Sequence, residues 1–161
     1  MKHHEVFESV PGILRPFKTF IEEQKLAPGD QIVYYGVPGT CTPFVELLAF
    51  AVRSIPCEQV FVPVIDTSKA RLLTQVTSVG MQVAATPTRI APKVAVLMGG
   101  LAMPNSGVTA KQVSDAVSPH GASLVGICFM SMFKKGGWLE TFDFDLLIDA
   151  TIAPVNVWKE Q

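Results

Sequence analysis

The chain reads as an α/β protein, an open, doubly wound, mostly parallel Rossmann-like three-layer sandwich with its central strand at about 94–98 beside a strand at about 31–36. Three observations predict it. Short β-branched or aromatic runs alternate with stretches of helical period along nearly the whole length. The strongest runs, VAVLM at Val94–Met98 and ASLVGIC at Ala122–Cys128, are apolar at consecutive positions, as a strand buried on both faces must be. The stretches between strands have the length that right-handed crossovers use.

In chain order, Val10–Leu26 carries Ile13, Leu14, Phe17, Phe20 and Ile21 at intervals of three and four, opposite Arg15, Lys18, Glu22 and Glu23. This predicts an amphipathic helix at about 12–26, its regular part starting near Arg15, because proline is comfortable only in a first turn and both Pro11 and Pro16 are present. QIVYYG, Gln31–Gly36, is the first strand. Thr42 is placed to cap a helix beginning at Pro43 and ending before Pro56, with Phe44, Leu47, Leu48 and Ala51 on its buried face. Gln59–Ile65 is the second strand, with a bulge or unpaired side expected at Pro63. Asp66 and Thr67 offer a cap for a helix from about Ser68 to Val79, with Gly80 as its stop. Met81–Ala85 reads as a short strand or as loop. Thr109 caps a helix to about Val117, with Val113 and Val117 inward. Phe129–Lys135 is a short helix stopped by Gly136 and Gly137, Leu146–Ile152 a further strand, and Val155–Trp158 a last edge segment.

Composition narrows the function. The 161 residues fit one α/β domain spanning 1–161. Thirteen basic against fourteen acidic residues, with no basic run longer than Lys134–Lys135, speak against a nucleic-acid partner, whose phosphates require clustered cations. Apolar stretches stop at Pro or Gly well short of the roughly 20 residues of a membrane span, and the N-terminus has no signal-peptide core. Hydrophobic residues at 48% against 17% charged leave little charge to cover the outside, which points to a homo-oligomer. Three separated cysteines form neither a disulfide framework nor a C-x-x-C pair and suit a reducing cytoplasm.

In such a sheet a ligand binds beyond the carboxyl ends of the strands, where strand order reverses. With Met81–Ala85 as a strand the order is 3-2-1-4-5, without it 2-1-3-4-5. Both orders set the turn Gly36–Thr42 opposite Gly99–Met103, with Cys128–Ser131 on the next strand and Asp66 as an outer wall. Gly36, Gly39, Thr40 and Thr42 at a helix start would hold a phosphate or carboxylate on backbone N–H groups and hydroxyls, or form a tight turn with no ligand. The spacing matches neither the G-x-G-x-x-G nor the lysine-bearing P-loop pattern, so no cofactor is specified. Gly99 and Gly100 either admit a ligand close to the backbone or allow neighbouring loops to pack closely. Asp66 stands where an acidic residue grips a ribose, but a helix cap is its favoured role.

Cys41, near a helix N-terminus, and Cys128, at the same sheet edge, are the candidate nucleophiles, since a helix dipole favours a thiolate; each is otherwise a small buried apolar side chain. No metal-ligand pattern is present. Lys134 and Lys135 either attract an anion toward the site or form a solvated helix end. GICFM around Cys128 weakly resembles the nucleophile turn of class I glutamine amidotransferases, but Met130 replaces the second glycine. The internal histidine, His120, precedes the same strand and so belongs at its opposite end.

Taken together, GVPGTCTPFVELLAFAVR, GGLAMP, GICFMSMF and DFDLLIDA resemble a family of uncharacterised methanogen-archaeal proteins, a domain-of-unknown-function family, over nearly the whole chain. The resemblance implies an α/β fold and an archaeal cytoplasmic setting, with no activity or catalytic residues to carry over. Three functions follow from the residues: a binding protein for an anionic metabolite or nucleotide at the carboxyl edge, a thiol-dependent enzyme or redox sensor using Cys41, or a non-catalytic interaction subunit.

Overall fold

The structure, a computed structural model, describes residues 3–161. Its elements are α1 (Pro11–Glu23), β1 (Gln31–Gly36), α2 (Thr42–Ala51), β2 (Glu58–Pro63), β3 (Arg71–Val76), β4 (Gly80–Pro87), β5 (Pro92–Met98), α3 (Ala110–Val117), β6 (Ser123–Phe129), α4 (Met132–Lys135) and β7 (Leu146–Ala150). The strands form one seven-stranded sheet in the order β4-β3-β2-β1-β5-β6-β7. β2, β1, β5, β6 and β7 run parallel, while β3 and β4 are an antiparallel hairpin added at the β2 edge. Among the described residues, no helix is long and apolar enough to cross a membrane.

β5 lies beside β1, with Tyr34 opposite Val96, and beside β6, with Val96 opposite Val125. This is the expected central strand, apolar at consecutive positions because helices cover both faces of the sheet. On one face α1 and α2 bury Phe17, Ile21, Val45 and Leu48 against Ile32, Tyr34, Val94 and Val96. On the other, Val113 and Val117 of α3, Leu101, Phe133 and Trp138 pack on Val33, Tyr35, Ala95 and Leu97. Thr109 closes the expected cap of α3: its hydroxyl accepts from the Gln112 N–H at 3.2 Å, and the Gln112 side chain accepts from the Thr109 N–H at 2.8 Å.

Several elements depart from their expected form. Ser68–Val79 is not a helix. A single 3₁₀ turn at Thr67–Lys69 is followed by β3, which pairs with β2 through Leu72 opposite Val60 and turns through Ser78 and Gly80, both at positive φ, into β4. Leu72, Leu73 and Val76 mimic a helical stripe, but the β-branched Thr74, Val76, Thr77 and Val79 favour the strand. Met81–Ala85 therefore lies within a real strand, yet the order 3-2-1-4-5 fails, because β3 occupies the place beside β2. The five parallel strands keep the 2-1-3-4-5 arrangement.

The helix α1 starts at Pro11 and carries Pro16 inside it. An interior proline costs about 3 kcal/mol. Phe17 and Ile21 are fully buried, each contributing about 1.5–3 kcal/mol, so burial of the apolar face outweighs the break. Pro63 ends β2 rather than bulging it. β6 runs on through Phe129, and Met130 and Ser131 at positive φ lead into α4, which is shorter than expected. β7 stops at Ala150, and Val155–Trp158 is no edge strand: residues 151–161 belong to no helix or strand and are exposed throughout.

Candidate functional site

β1 ends at the fully enclosed Gly36, and the chain turns through Val37–Thr40 with Gly39 in the left-handed region at φ +80°. The Cys41 N–H bonds back to the Val37 carbonyl at 2.9 Å, and α2 follows. The N-cap position is held by Cys41 and not by Thr42, and the Cys41 side chain makes no capping bond. Thr42 instead is the first helical residue, and its hydroxyl accepts from the Gly39 N–H at 3.1 Å, closing the turn on itself.

The Gly36–Thr42 turn does face the end of β5, and Cys41 is the point of contact. A Cβ at Gly36 would lie 2.7 Å from Cys41 Cβ and 3.2 Å from Met98 Cγ, and a Cβ at Gly100 would lie 2.5 Å from Cys41 Sγ. On the other side of β5, a Cβ at Gly99 would lie 2.5 Å from Cys128 Cβ and 2.9 Å from Cys128 Cα. Neither Gly99 nor Gly100 has a positive φ. Both are glycine because a neighbour fills the space of the missing side chain, which is the close-packing alternative. Gly39 differs, since nothing lies within 4 Å of a Cβ built there and it is exposed with Thr40 beside it.

On the α1–α2 face, Phe44 of α2 and Phe129 at the end of β6 meet at 4.6 Å between ring centroids. They come from either side of β5. Met103 is half-buried, its N–H bonded to the Gly100 carbonyl at 3.2 Å as the Gly99–Ala102 3₁₀ turn closes. Asp66 is exposed and caps the Thr67–Lys69 turn, accepting from the Ser68 N–H at 3.1 Å and pairing with Lys69 at 3.4 Å. Its carboxyl is held below the usual range, first by the Ser68 hydroxyl. Gly36, Gly99, Gly100, Cys41 and Cys128 are thus brought together as packing, Gly39, Thr40 and Thr42 form the surface turn beside them, and Asp66 has a local partner.

Burial also sets the thiol chemistry. The Cys41 thiol is pushed up by desolvation, offset in part by backbone hydrogen bonding at Val37 and Gly100. Desolvation pushes Cys128 up to about 11, and the Asp149 carboxylate adds to it. His120, in a 3₁₀ turn leading into β6, is exposed at the amino end of that strand. No group of three His, Cys, Asp or Glu positioned to hold a metal occurs among the described residues.

Three features had no readable signal in the chain. Tyr34 and Tyr35 look alike in sequence, yet the Tyr34 hydroxyl donates to Gln59 Oε1 at 2.7 Å while the buried Tyr35 hydroxyl has no partner among the described residues. Phe133, Trp138, Phe142 and Phe144 form an aromatic cluster with neighbouring centroids 5.3–5.6 Å apart; FDFD signals it only if the alternate phenylalanines are read as inward-facing. Finally, clefts of about 320 Å³ lie away from the carboxyl edge, one lined by Ser118, Gly121, Leu124, Thr141 and Asp143, the other between α1 and Phe7.

Comparison with known proteins matches residues 8–153 to a family described as an uncharacterized protein conserved in archaea, DUF2124. An uncharacterized protein of Methanothermobacter thermautotrophicus is 41% identical over 155 residues, covering 92% of this chain and 95% of that protein. Another, from Methanocaldococcus jannaschii, is 33% identical over 141 residues, covering 87% and 84%. The crystal structure of a protein of unknown function from Methanothermobacter thermautotrophicus superposes with a TM-score of 0.85 at 34% identity, covering 99% of both chains. The match of the family model to nine-tenths of the chain and these full-length relatives place it in one lineage: the chain belongs to the archaeal DUF2124 family.

Proposed function

We propose that the protein acts by binding, and that its ligand is a small anionic molecule, a nucleotide or a phosphorylated metabolite, taken at the rim of the carboxyl edge of the sheet. The observation that carries this reading is the charge arrangement at that rim. Neither Gly36–Thr42 nor Gly99–Val108 contains an acidic residue, and α4 packs against the Gly99–Ala102 turn through Gly136, whose added Cβ would lie 3.2 Å from the Ala102 carbonyl oxygen. That packing brings the exposed Lys134 and Lys135 to the same edge. The nearby Asp149 accepts from the Ser131 N–H at 2.9 Å. Cations beside turns that carry no acidic residue favour an anion.

Catalysis through Cys41 is less favoured than binding, because a buried thiol with a raised pKa is poorly nucleophilic at neutral pH. A non-catalytic interaction subunit is the second reading, and the outward face of α2 favours it. Three free thiols suit a cytoplasmic setting.

Thermal unfolding across a panel of nucleotides and phosphorylated metabolites at low salt tests the first reading. At a hundredfold excess over Kd, a true ligand raises Tm by about 5–10 °C, and the double variant Lys134→Glu/Lys135→Glu abolishes the rise. A panel without any stabiliser, or a rise that the double variant leaves intact, overturns it.

A further inference from the structure

We propose that the protein pairs with a second copy of itself, each copy laying its C-terminal arm, residues 151–161, across the outward face of helix α2 of the other. Two exposed apolar surfaces support this, and they are joined end to end.

The first is α2. Val45, Leu48 and Ala49 face the sheet, yet Phe44, Leu47 and Phe50 on the other side are also apolar and are 37%, 37% and 39% exposed. A surface helix of a globular protein turns a polar face to water, and one that is apolar all round is covered. The one acidic side chain of α2, Glu46, is drawn aside to accept from the Val83 N–H at 3.1 Å, and the Arg53 guanidinium, 3.8 Å over the Phe50 ring, bounds the stripe at its C-terminal end. The stripe continues at one end into the β3–β4 hairpin, where a Cβ at Gly80 would lie 3.8 Å from the Phe50 ring and Val79 is 63% exposed. At the other end Phe44 meets the Phe129 ring at a tilt of 44°, next to the exposed Met130.

The second is the arm. Every residue from 151 to 161 is exposed, and none makes a hydrogen bond or ion pair among the described residues. Ile152, Val155, Val157 and Trp158 are nonetheless all apolar, and no charge appears before Lys159. Four such side chains exposed within seven residues are an interaction surface rather than scattered surface residues. The arm starts beside the stripe, since the Met130 N–H donates to the Ala150 carbonyl at 2.8 Å. Its own α2 nevertheless stays uncovered, so the occupant comes from another chain with the same arm.

Reach and area both suffice. As extended chain, residues 155–161 alone would span about 23 Å, against about 15 Å for the ten-residue α2. As extended chain the arm, about 1.3 kDa, would expose about 1,800 Å². Covering half of each of two exchanged arms alone reaches about the 1,600 Å² of a standard stable interface. A reciprocal exchange also closes as a two-fold pair, leaving no arm free to propagate.

Light scattering on the full chain is expected to give twice 17.4 kDa. The variants Val157→Asp/Trp158→Ser on the arm and Leu47→Glu on the stripe should each weaken the dimer about 100-fold, the loss of a central apolar anchor in both halves. The arm lies outside the sheet, so its variant retains the wild-type circular dichroism and melting of the monomer. Mixing a Val157→Cys chain with a Leu47→Cys chain under mild oxidation should give a mixed disulfide-linked pair. A monomeric wild type, a dimer indifferent to the arm variant, or a dimer broken only by Leu47→Glu with no mixed cross-link overturns the proposal.

Discussion

The sulfur of Cys41 occupies the space that a side chain at Gly100 would need, with a Cβ at residue 100 falling 2.5 Å from it. Through this contact the turn after β1 and the turn after β5 lock together. The strand-end crevice of a doubly wound sheet is here filled by a cysteine on each side of the central strand, Cys41 against Gly36 and Gly100, Cys128 against Gly99.

The two glycines should therefore respond differently to a methyl group. Gly100→Ala is expected to destabilise by about 1–3 kcal/mol through overpacking, and the cost should fall by at least about 1 kcal/mol when Cys41→Ala removes the sulfur that the methyl meets. Gly99→Ala should cost as much or more and gain no relief from Cys128→Ala, because its clash is with the Cβ and Cα of residue 128, which alanine retains. Urea unfolding of the two cycles measures both. Equal rescue at the two sites would refute the packing assignment.

Burial of the thiols predicts slow alkylation and a loss of stability at alkaline pH. An unfolded cysteine releases its proton near pH 8.5, while Cys57 and Cys128 hold theirs to about 11 in the folded protein. Folding thus retains protons that the unfolded chain gives up. The contribution is whole below about pH 8.5 and is lost as pH rises toward 11. The urea midpoint should fall between pH 8.5 and 11, with a shallower slope in Cys57→Ser/Cys128→Ala. At pH 8 no thiol should react with iodoacetamide faster than a model peptide, and a fast-reacting Cys41 would contradict its enclosure.

Adjacent tyrosines in β1 give a third contrast. Tyr34 donates to Gln59, whose side-chain amide in turn donates to the Ala49 carbonyl at 3.0 Å, tying β1 and β2 to α2. Tyr34→Phe leaves a buried acceptor unpaired and should cost about 1–3 kcal/mol. Tyr35→Phe removes a hydroxyl that has no partner and is expected to be neutral or stabilising. Thermal melts of the two single variants decide it; a Tyr35→Phe loss above about 1 kcal/mol would reveal a partner for that hydroxyl, such as a buried water.

Much of the fold was legible because it is written in local patterns. Consecutive apolar residues at Val94–Met98 mark a strand covered on both sides, and Thr109 marks the cap of α3. The β3–β4 hairpin was not legible. A stripe of Leu72, Leu73 and Val76 serves a helix or a strand equally until a neighbouring edge offers hydrogen bonds, and that edge, β2, is formed by residues about a dozen positions earlier. The regular part of helix α1 was expected near Arg15 and not from Pro11 for the same reason, since the burial that overrides Pro16 comes from strands it meets only in three dimensions.

By itself the chain determined the α/β class, the central place of Val94–Met98 and the meeting of Gly36–Thr42 with Gly99–Met103, because hydrophobic periodicity and crossover handedness depend on residues near one another in sequence. Only the tertiary structure decided what lies between those two turns. A glycine pair is silent about whether its empty space receives a ligand or a neighbour, and the answer, the sulfur of Cys41 and the Cβ of Cys128, rests on distances between segments tens of residues apart. Tertiary structure likewise separated the inner face of α2 from its outer one, since both are apolar and only the position of the sheet tells them apart.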